Sequence, residues 1–83
     1  MDIICQFSLY PLRVEHLSPT IDTALAAIAD RGLSVTAGPL TSTAFGPAET
    51  VFAALRDAYT AAVEHGDCIL TATFSNACPQ PAP

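Results

Sequence analysis

The stretch IICQFSLY at residues 3–10 alternates strictly between two sets of side chains. One set is apolar throughout and the other is mixed: the first is Ile3, Cys5, Phe7 and Leu9, and the second is Ile4, Gln6, Ser8 and Tyr10. A period of two is typical of a β-strand that buries one face and leaves the other uncovered. Pro11 ends the alternation. The chain therefore begins with a strand over residues 3–10 whose apolar face needs a covering layer.

The rest of the chain supplies that layer and three more strands. Ser18 followed by Pro19 is typical of a helix N-cap with proline at the first helical position, and Gly32 ends the helix. Strands are predicted over 33–37, 40–45 and 68–75, with a turn at Gly38-Pro39. Gly46-Pro47 is predicted to open a second helix, which ends at Gly66. The order β-α-β-β-α-β predicts an α+β, ferredoxin-like fold, in which two helices cover one face of a four-stranded antiparallel sheet.

Both predicted helices carry an apolar stripe that we expect to pack on the sheet. The stripe of the first helix is Ile21, Ala24, Leu25, Ile28 and Ala29, and that of the second is Ala48, Val51, Phe52, Leu55, Ala58, Tyr59 and Ala62. We assign residues 1–79 to a single ligand-binding domain and residues 80–83 to a flexible, proline-rich tail.

The charge of the chain excludes several partners. Its 83 residues carry a net charge of −5 and only three basic side chains, Arg13, Arg31 and Arg56. Nucleic acid binding needs clustered basic residues, and an anionic membrane surface needs them too. The start of the chain lacks the basic region of a signal peptide, and no apolar run approaches the length of a spanning helix. We therefore expect no membrane insertion and a cytoplasmic location.

The uncovered face of the predicted sheet, here called the open face, has an unusual composition. By strand parity it carries no charged residue and eight Ser or Thr hydroxyls: its members are Gln6, Ser8, Tyr10, Ser34, Thr36, Thr41, Thr43, Phe45, Ile69, Thr71, Thr73 and Ser75. A solvated face that uses Thr for its strand propensity is one explanation. Packing against a second subunit, or binding a neutral polar ligand, explains the missing charge better.

Ser42 is the one strand hydroxyl that by parity points towards the helices, beside Leu40 and Ala44. A buried hydroxyl needs a hydrogen-bond partner. That partner is either a backbone carbonyl or a ligand in the cleft between sheet and helices.

The sequence offers no catalytic constellation or metal site. No carboxylate lies within a strand, His16 and His65 have no evident nucleophile beside them, and phosphate-binding glycine motifs are absent. Cys5, Cys68 and Cys78 lack paired spacing, so neither a disulfide framework nor a metal site is expected. We therefore expect a protein that is not an enzyme and needs no cofactor.

Three motifs in order resemble the YkoF-type family of thiamine- and hydroxymethylpyrimidine-binding proteins. They are CQFSLYPL at 5–12, GPLTSTAFG at 38–46 and TATFSNACP at 71–79, and the likeness extends to Val51-Phe52 and Leu55 in the second helix. The chain looks like the single-repeat form of this family, whose members oligomerise. The resemblance implies the ferredoxin-like fold, a homodimer or homotetramer, and a non-catalytic role in thiamine uptake or salvage.

The resemblance also implies ligand-binding residues. Its hydroxyl positions fall on Ser8, Thr41 and Ser42, where threonine is usual in place of Ser42, and its terminal pattern falls on Phe74, Ser75, Cys78 and Pro79. Phe45 stands where the family often has a charged residue. The implied ligand-binding set is Gln6, Ser8, Tyr10, Thr41, Ser42, Thr73, Ser75 and Asn76.

The chemistry of such a ligand matches these side chains. Neutral amides and hydroxyls can pair with the ring nitrogens and amine of an aminopyrimidine, and Tyr10, Phe45 or Tyr59 could stack on its ring. Three arginines offer little to a diphosphate, so thiamine or hydroxymethylpyrimidine is expected over thiamine diphosphate. The alternative is a ferredoxin-like structural or regulatory module that oligomerises without a thiamine ligand.

Overall fold

Four strands and two helices follow one another in the predicted order. The structure, a computed structural model, describes residues 1–38 and 40–77, so Pro39, Cys78, Pro79 and the tail 80–83 lie outside the described residues. The elements are β1 (Asp2–Pro11), α1 (Ser18–Ala29), β2 (Ser34–Ala37), β3 (Ser42–Pro47), α2 (Ala48–Val63) and β4 (Cys68–Ser75). This order confirms the predicted ferredoxin-like α+β fold.

The sheet has the strand order β2-β3-β1-β4, and every neighbouring pair is antiparallel. β1 lies at its centre, where Gln6 is opposite both Thr43 and Thr73, and Phe7 is opposite both Ser42 and Ala72. Directly opposed residues share a face of the sheet, so these pairs follow the predicted parity. Gln6, Thr43 and Thr73 therefore lie on the open face, and Phe7, Ser42 and Ala72 lie on the side covered by the helices.

The core lies between the sheet and the two helices. β1 contributes Ile3, Cys5 and Phe7, all at least 96% buried, and the helices contribute Ala24, Ile28, Val51, Ala54, Leu55, Ala58 and Ala62. Five of the residues in this core are alanine. Their small side chains let the two helices approach each other and the sheet closely, since packing distance depends on the side chains at the contact.

Several predicted boundaries are wrong. β3 begins at Ser42, so Leu40 and Thr41 precede the strand in which they were predicted. Leu17, not Ser18, occupies the N-cap of α1, and no side chain caps the helix there. The pair Gly46-Pro47 belongs to β3 instead of opening α2, because the ladder with β1 continues to the pair Asp2 and Pro47. A Cβ at Gly46 would lie 2.5 Å from Leu33 Cδ2, so an alanine there would require the Leu33 side chain to move.

Part of the predicted helix stripes is not covered. Ala29 is exposed, Phe52 remains 53% exposed and Tyr59 40%, whereas Ala54, which the stripe omitted, is fully buried. Phe52 and Tyr59 project beside β4, at the edge of the sheet. The sheet ends there, so the stripe of α2 is wider than the surface beneath it.

No helix in the described part of the chain is both long and apolar enough to cross a membrane.

Candidate functional site

A cavity of about 320 Å³ lies at the end of the sheet where β1 finishes and α1 begins. We call it the β1–α1 cavity. β1 lines it with residues 7–10, the start of α1 with Ile21, Ala24 and Leu25, and the connection between β2 and β3 closes the third side. Its apolar walls continue the hydrophobic core at the end of the sheet. The volume of the cavity falls at the lower limit of the usual range for small-molecule sites.

Ser42 brings a hydroxyl into this cavity from the helix side of the sheet. It is directly opposite Phe7, whose side chain is buried under the helices, so the predicted inward direction of Ser42 is confirmed. Within residues 1–38 and 40–77, the Ser42 hydroxyl makes no hydrogen bond to a backbone carbonyl or a side chain. It lines the cavity instead.

Side chains of the open face form hydrogen bonds to the β2–β3 connection, which forms one wall of the cavity. Gln6 Nε2 donates to Thr41 Oγ1 over 3.1 Å, and Ser8 Oγ donates to the Leu40 carbonyl over 3.2 Å. A third bond runs from the Gly38 N–H to the Thr41 carbonyl, at 2.8 Å. Gln6 and Ser8 therefore position the wall, and the Thr41 hydroxyl retains its own proton to donate.

Gly38 has a geometric reason for its identity. A Cβ placed on it would lie 2.6 Å from the Thr41 carbonyl oxygen, which belongs to the backbone and cannot turn away. The sequence predicted a turn at this glycine but gave no sign that its missing side chain allows the wall to close.

The implied ligand-binding residues separate into three groups. Ser8, Tyr10, Thr41 and Ser42 line the β1–α1 cavity, while Gln6 and Thr73 face each other one row further along the open face. Ser75 and Asn76 lie at the opposite end of the sheet. Ser75 is opposite Ile4 and its hydroxyl accepts the Ala77 N–H, and Asn76 Nδ2 contacts Met1 Sδ over 3.6 Å.

The three aromatic residues considered for ring stacking are likewise dispersed. Tyr10 lines the β1–α1 cavity, is 52% exposed and, by its register opposite Ile69, projects on the open face. Phe45 is opposite Ile4, towards the far end of the open face. Tyr59 belongs to a second groove, and its hydroxyl donates to the Cys68 carbonyl over 3.2 Å. Of these three aromatic residues, Tyr10 is the one that lines the cavity.

Every side chain that lines the cavity is uncharged. The three arginines are engaged elsewhere: Arg13 pairs with Asp67, and Arg31 and Arg56 both pair with Asp57, at 2.7 and 3.3 Å. The hydrogen bond from Arg31, assisted by Arg56, lowers the pKa of Asp57. An anion in the cavity would therefore find no arginine side chain to pair with.

The described residues contain no cluster of three His, Cys, Asp or Glu side chains arranged to hold a metal ion. Burial raises the pKa of Cys5 to about 11, and burial together with Asp67 raises the pKa of Cys68. Both thiols are therefore protonated near neutral pH and are poor nucleophiles.

Sequence reasoning missed the apolar walls of the cavity. Leu17 was assigned no role, and Ile21 and Leu25 were assigned to the core. Leu40 was predicted on the inward face of the third strand, but it precedes β3 and is 86% exposed. One signal was present: the helical spacing of 17, 21, 24 and 25 continues the apolar stripe of α1 beyond the N-terminal end of the helix, where no strand is predicted beneath it.

A family model described as the YKOF-related family matches residues 2–81 of the chain. A search of curated proteins finds no match.

Solved structures share the fold at low sequence identity. A candidate thiamine biosynthesis/salvage protein from Thermotoga maritima is 19% identical with a TM-score of 0.77, covering 89% of this chain and 82% of the other. A hypothetical protein from Methanocaldococcus jannascii is 12% identical with a TM-score of 0.84 (96% and 84% covered). A domain of unknown function from Bacillus cereus is 17% identical with a TM-score of 0.79 (89% and 74% covered).

Proposed function

The chain belongs to the YKOF-related family, and from this membership we propose that it binds thiamine or its hydroxymethylpyrimidine moiety without catalysis. Its role would be in uptake or salvage of the vitamin, in the cytoplasm. The likeness to a candidate thiamine biosynthesis/salvage protein supports the same direction. One observation carries the proposal: the β1–α1 cavity is uncharged and offers the Ser42 hydroxyl to a bound molecule.

An aminopyrimidine suits this cavity chemically. Its ring nitrogens accept hydrogen bonds and its amine donates them, and the hydroxyls of Ser42 and Thr41 can do either. The pyrimidine ring would lie against the apolar wall of α1, with Tyr10 at the rim of the cavity on the open-face side. The thiazolium cation of thiamine would project to the rim, where the acidic chain and the aromatic face of Tyr10 favour a positive charge.

Thiamine diphosphate fits less well. Each arginine of the chain already pairs with a carboxylate, and the net charge of −5 repels an anion. Thiamine should therefore bind more tightly than its diphosphate.

A second candidate function is a structural or regulatory module that assembles without this ligand. The open face favours it, since its residues are uncharged apart from Asp2 at the first position of β1, although the chain is acidic. A homodimer or homotetramer is compatible with either function, so oligomeric state alone does not separate them.

Calorimetric titration of the wild-type protein and three serine variants separates the candidates. Ser42→Ala should weaken thiamine binding by about two- to tenfold, the value of one neutral hydrogen bond. Ser34→Ala is the matched control on β2 and should bind as the wild type does. Ser75→Ala tests the far end of the sheet. If Ser75→Ala weakens thiamine binding and Ser42→Ala leaves it unchanged, the binding site lies outside the cavity. No heat with thiamine or hydroxymethylpyrimidine would favour the assembly module.

A further inference from the structure

The residues that line the β1–α1 cavity differ in burial, and this difference gives the cavity a floor and a mouth. Phe7 and Ala24 are almost fully buried and lie at the floor. Thr41 and Ser42 are half-buried and supply hydroxyls above the floor. The hydroxyls that can bind a flat heterocycle therefore lie inside the cavity and not at its opening.

The mouth of the cavity carries two large apolar side chains. Leu17 is 50% exposed and Leu40 is 86% exposed, and both line the cavity. Leu17 immediately precedes α1, whereas Leu40 lies on the β2–β3 connection, so the two leucines come from different parts of the fold. We call this pair the leucine rim. Exposed apolar side chains that are grouped at a cavity, and not scattered singly, mark a surface that a ligand covers.

The position of Leu40 is fixed through its backbone and not through its side chain. Its carbonyl accepts a hydrogen bond from Ser8 Oγ over 3.2 Å, and the Thr41 hydroxyl beside it accepts one from Gln6 Nε2 over 3.1 Å. The Leu40 side chain is therefore held at the mouth while most of its surface remains available for contact. A contact surface that is already in place costs less entropy when a ligand binds.

We propose that the leucine rim is a specificity determinant, which selects the complete two-ring thiamine over its pyrimidine half. This inference rests on the proposed function and assigns a site to the second ring of the ligand. A pyrimidine bonded to the Ser42 and Thr41 hydroxyls occupies the inner part of the cavity, and the methylene that carries the thiazolium leads outward to Leu17 and Leu40. Hydroxymethylpyrimidine has only a hydroxyl at that methylene, so it covers neither leucine.

Apolar contact with the second ring agrees with the charges around the cavity. No carboxylate lines the cavity, so the thiazolium has no counter-ion within it. The positive charge of that ring is spread over several atoms, and its sulfur and methyl group can pack on leucine. The net charge of −5 attracts a cation to the mouth but does not distinguish its shape. Recognition of the shape of the second ring therefore falls to Leu17 and Leu40.

Calorimetric titration with thiamine and with hydroxymethylpyrimidine tests the leucine rim. The measured quantity is the selectivity, the Kd for hydroxymethylpyrimidine divided by the Kd for thiamine, and it should be at least about tenfold in the wild type because thiamine alone covers both leucines. Leu40→Ala and Leu17→Ala should each lower the selectivity about three- to tenfold, the value of covering about half of a leucine side chain. The loss should fall on thiamine. Leu40→Met should restore most of it, since volume and polarity are conserved.

Two further variants serve as controls. Ser42→Ala should weaken both ligands equally, because both contain the pyrimidine, and should leave the selectivity unchanged. Val63→Ala removes an apolar side chain that is 41% exposed but does not line the cavity, so both affinities should equal those of the wild type. Urea unfolding of each variant separates a loss of binding from a loss of folding.

The outcomes distinguish failure of the leucine rim from failure of the proposed function. The leucine rim is refuted if the wild type binds both ligands equally tightly, or if neither Leu40→Ala nor Leu17→Ala changes the selectivity; in both cases the proposed function is unaffected. If the wild type binds neither ligand, the proposed function fails and the specificity assignment fails with it.

Discussion

Replacing Gly38 with alanine should loosen the wall of the β1–α1 cavity. The added Cβ would lie 2.6 Å from the Thr41 carbonyl oxygen, where real Cβ contacts do not occur. Both atoms belong to the backbone, so the connection between β2 and β3 has to move. Movement breaks the 2.8 Å bond between the Gly38 N–H and that same oxygen.

The cost follows from the bonds that depend on this geometry. The Gly38–Thr41 bond contributes about 0.5–1.5 kcal/mol. The bonds from Gln6 to Thr41 and from Ser8 to Leu40 are exposed and contribute towards the lower end of the same range each. Gly38→Ala should therefore lower the free energy of unfolding by about 1–3 kcal/mol, which corresponds to about 4–8 °C in Tm for each kcal/mol.

Urea unfolding measures this loss, with Ser8→Ala as the comparison that removes one bond and leaves the backbone in place. Gly38→Ala should cost more than Ser8→Ala and should also weaken thiamine binding, because Thr41 lies on the displaced wall. A Gly38→Ala protein within about 0.5 kcal/mol of the wild type, with an unchanged m-value, would show that the connection is not held as described.

Three further perturbations test other parts of the structure. Ile28→Ala empties a fully buried site and should cost about 2–5 kcal/mol in urea unfolding, whereas Leu40→Ala, at a residue 86% exposed, should stay within about 0.5 kcal/mol; equal effects would refute the assignment of the core. Arg31 lowers the pKa of Asp57, so this carboxylate stabilises the fold above its unfolded pKa of about 4, and the contribution is lost as the pH falls through the lower folded value. Asp57→Asn should flatten the acid limb of a plot of Tm against pH, and an unchanged slope would contradict the pairing. Cys5, fully buried with its pKa raised to about 11, should resist alkylation at pH 8 until urea unfolds the chain, and rapid native labelling would show an open core.

Local patterns were enough to predict most of the fold. The alternation in residues 3–10 assigned Ile3, Cys5 and Phe7 to the buried face, because a strand has only two faces and its neighbours must cover the apolar one. The same parity placed Ser42 on the helix side, as its register with Phe7 confirms. Boundaries were less predictable. Gly46-Pro47 has the local character of a helix start, but the ladder with β1 extends through it.

The candidate site was only partly predictable. The family resemblance supplied eight residues, of which Ser8, Tyr10, Thr41 and Ser42 share the cavity. Sequence could not separate these from Ser75 and Asn76, because all carry an uncharged hydroxyl or amide group on or beside a strand. Their distance from the cavity depends on the antiparallel register, which sets Ser75 beside Ile4 and not beside Ser8.

The sequence by itself determined the order of elements, the two faces of each strand and the hydroxyl-rich composition of the open face. Those properties depend on the two-residue period of a strand and the 3.6-residue period of a helix, which are local. Only the tertiary structure decided where the apolar surfaces remain uncovered: at the cavity beyond the start of α1, and along β4, where Phe52 and Tyr59 extend past the last strand. The physical reason is that a stripe is buried only as far as the sheet extends beneath the helix, and strand order and register set that limit.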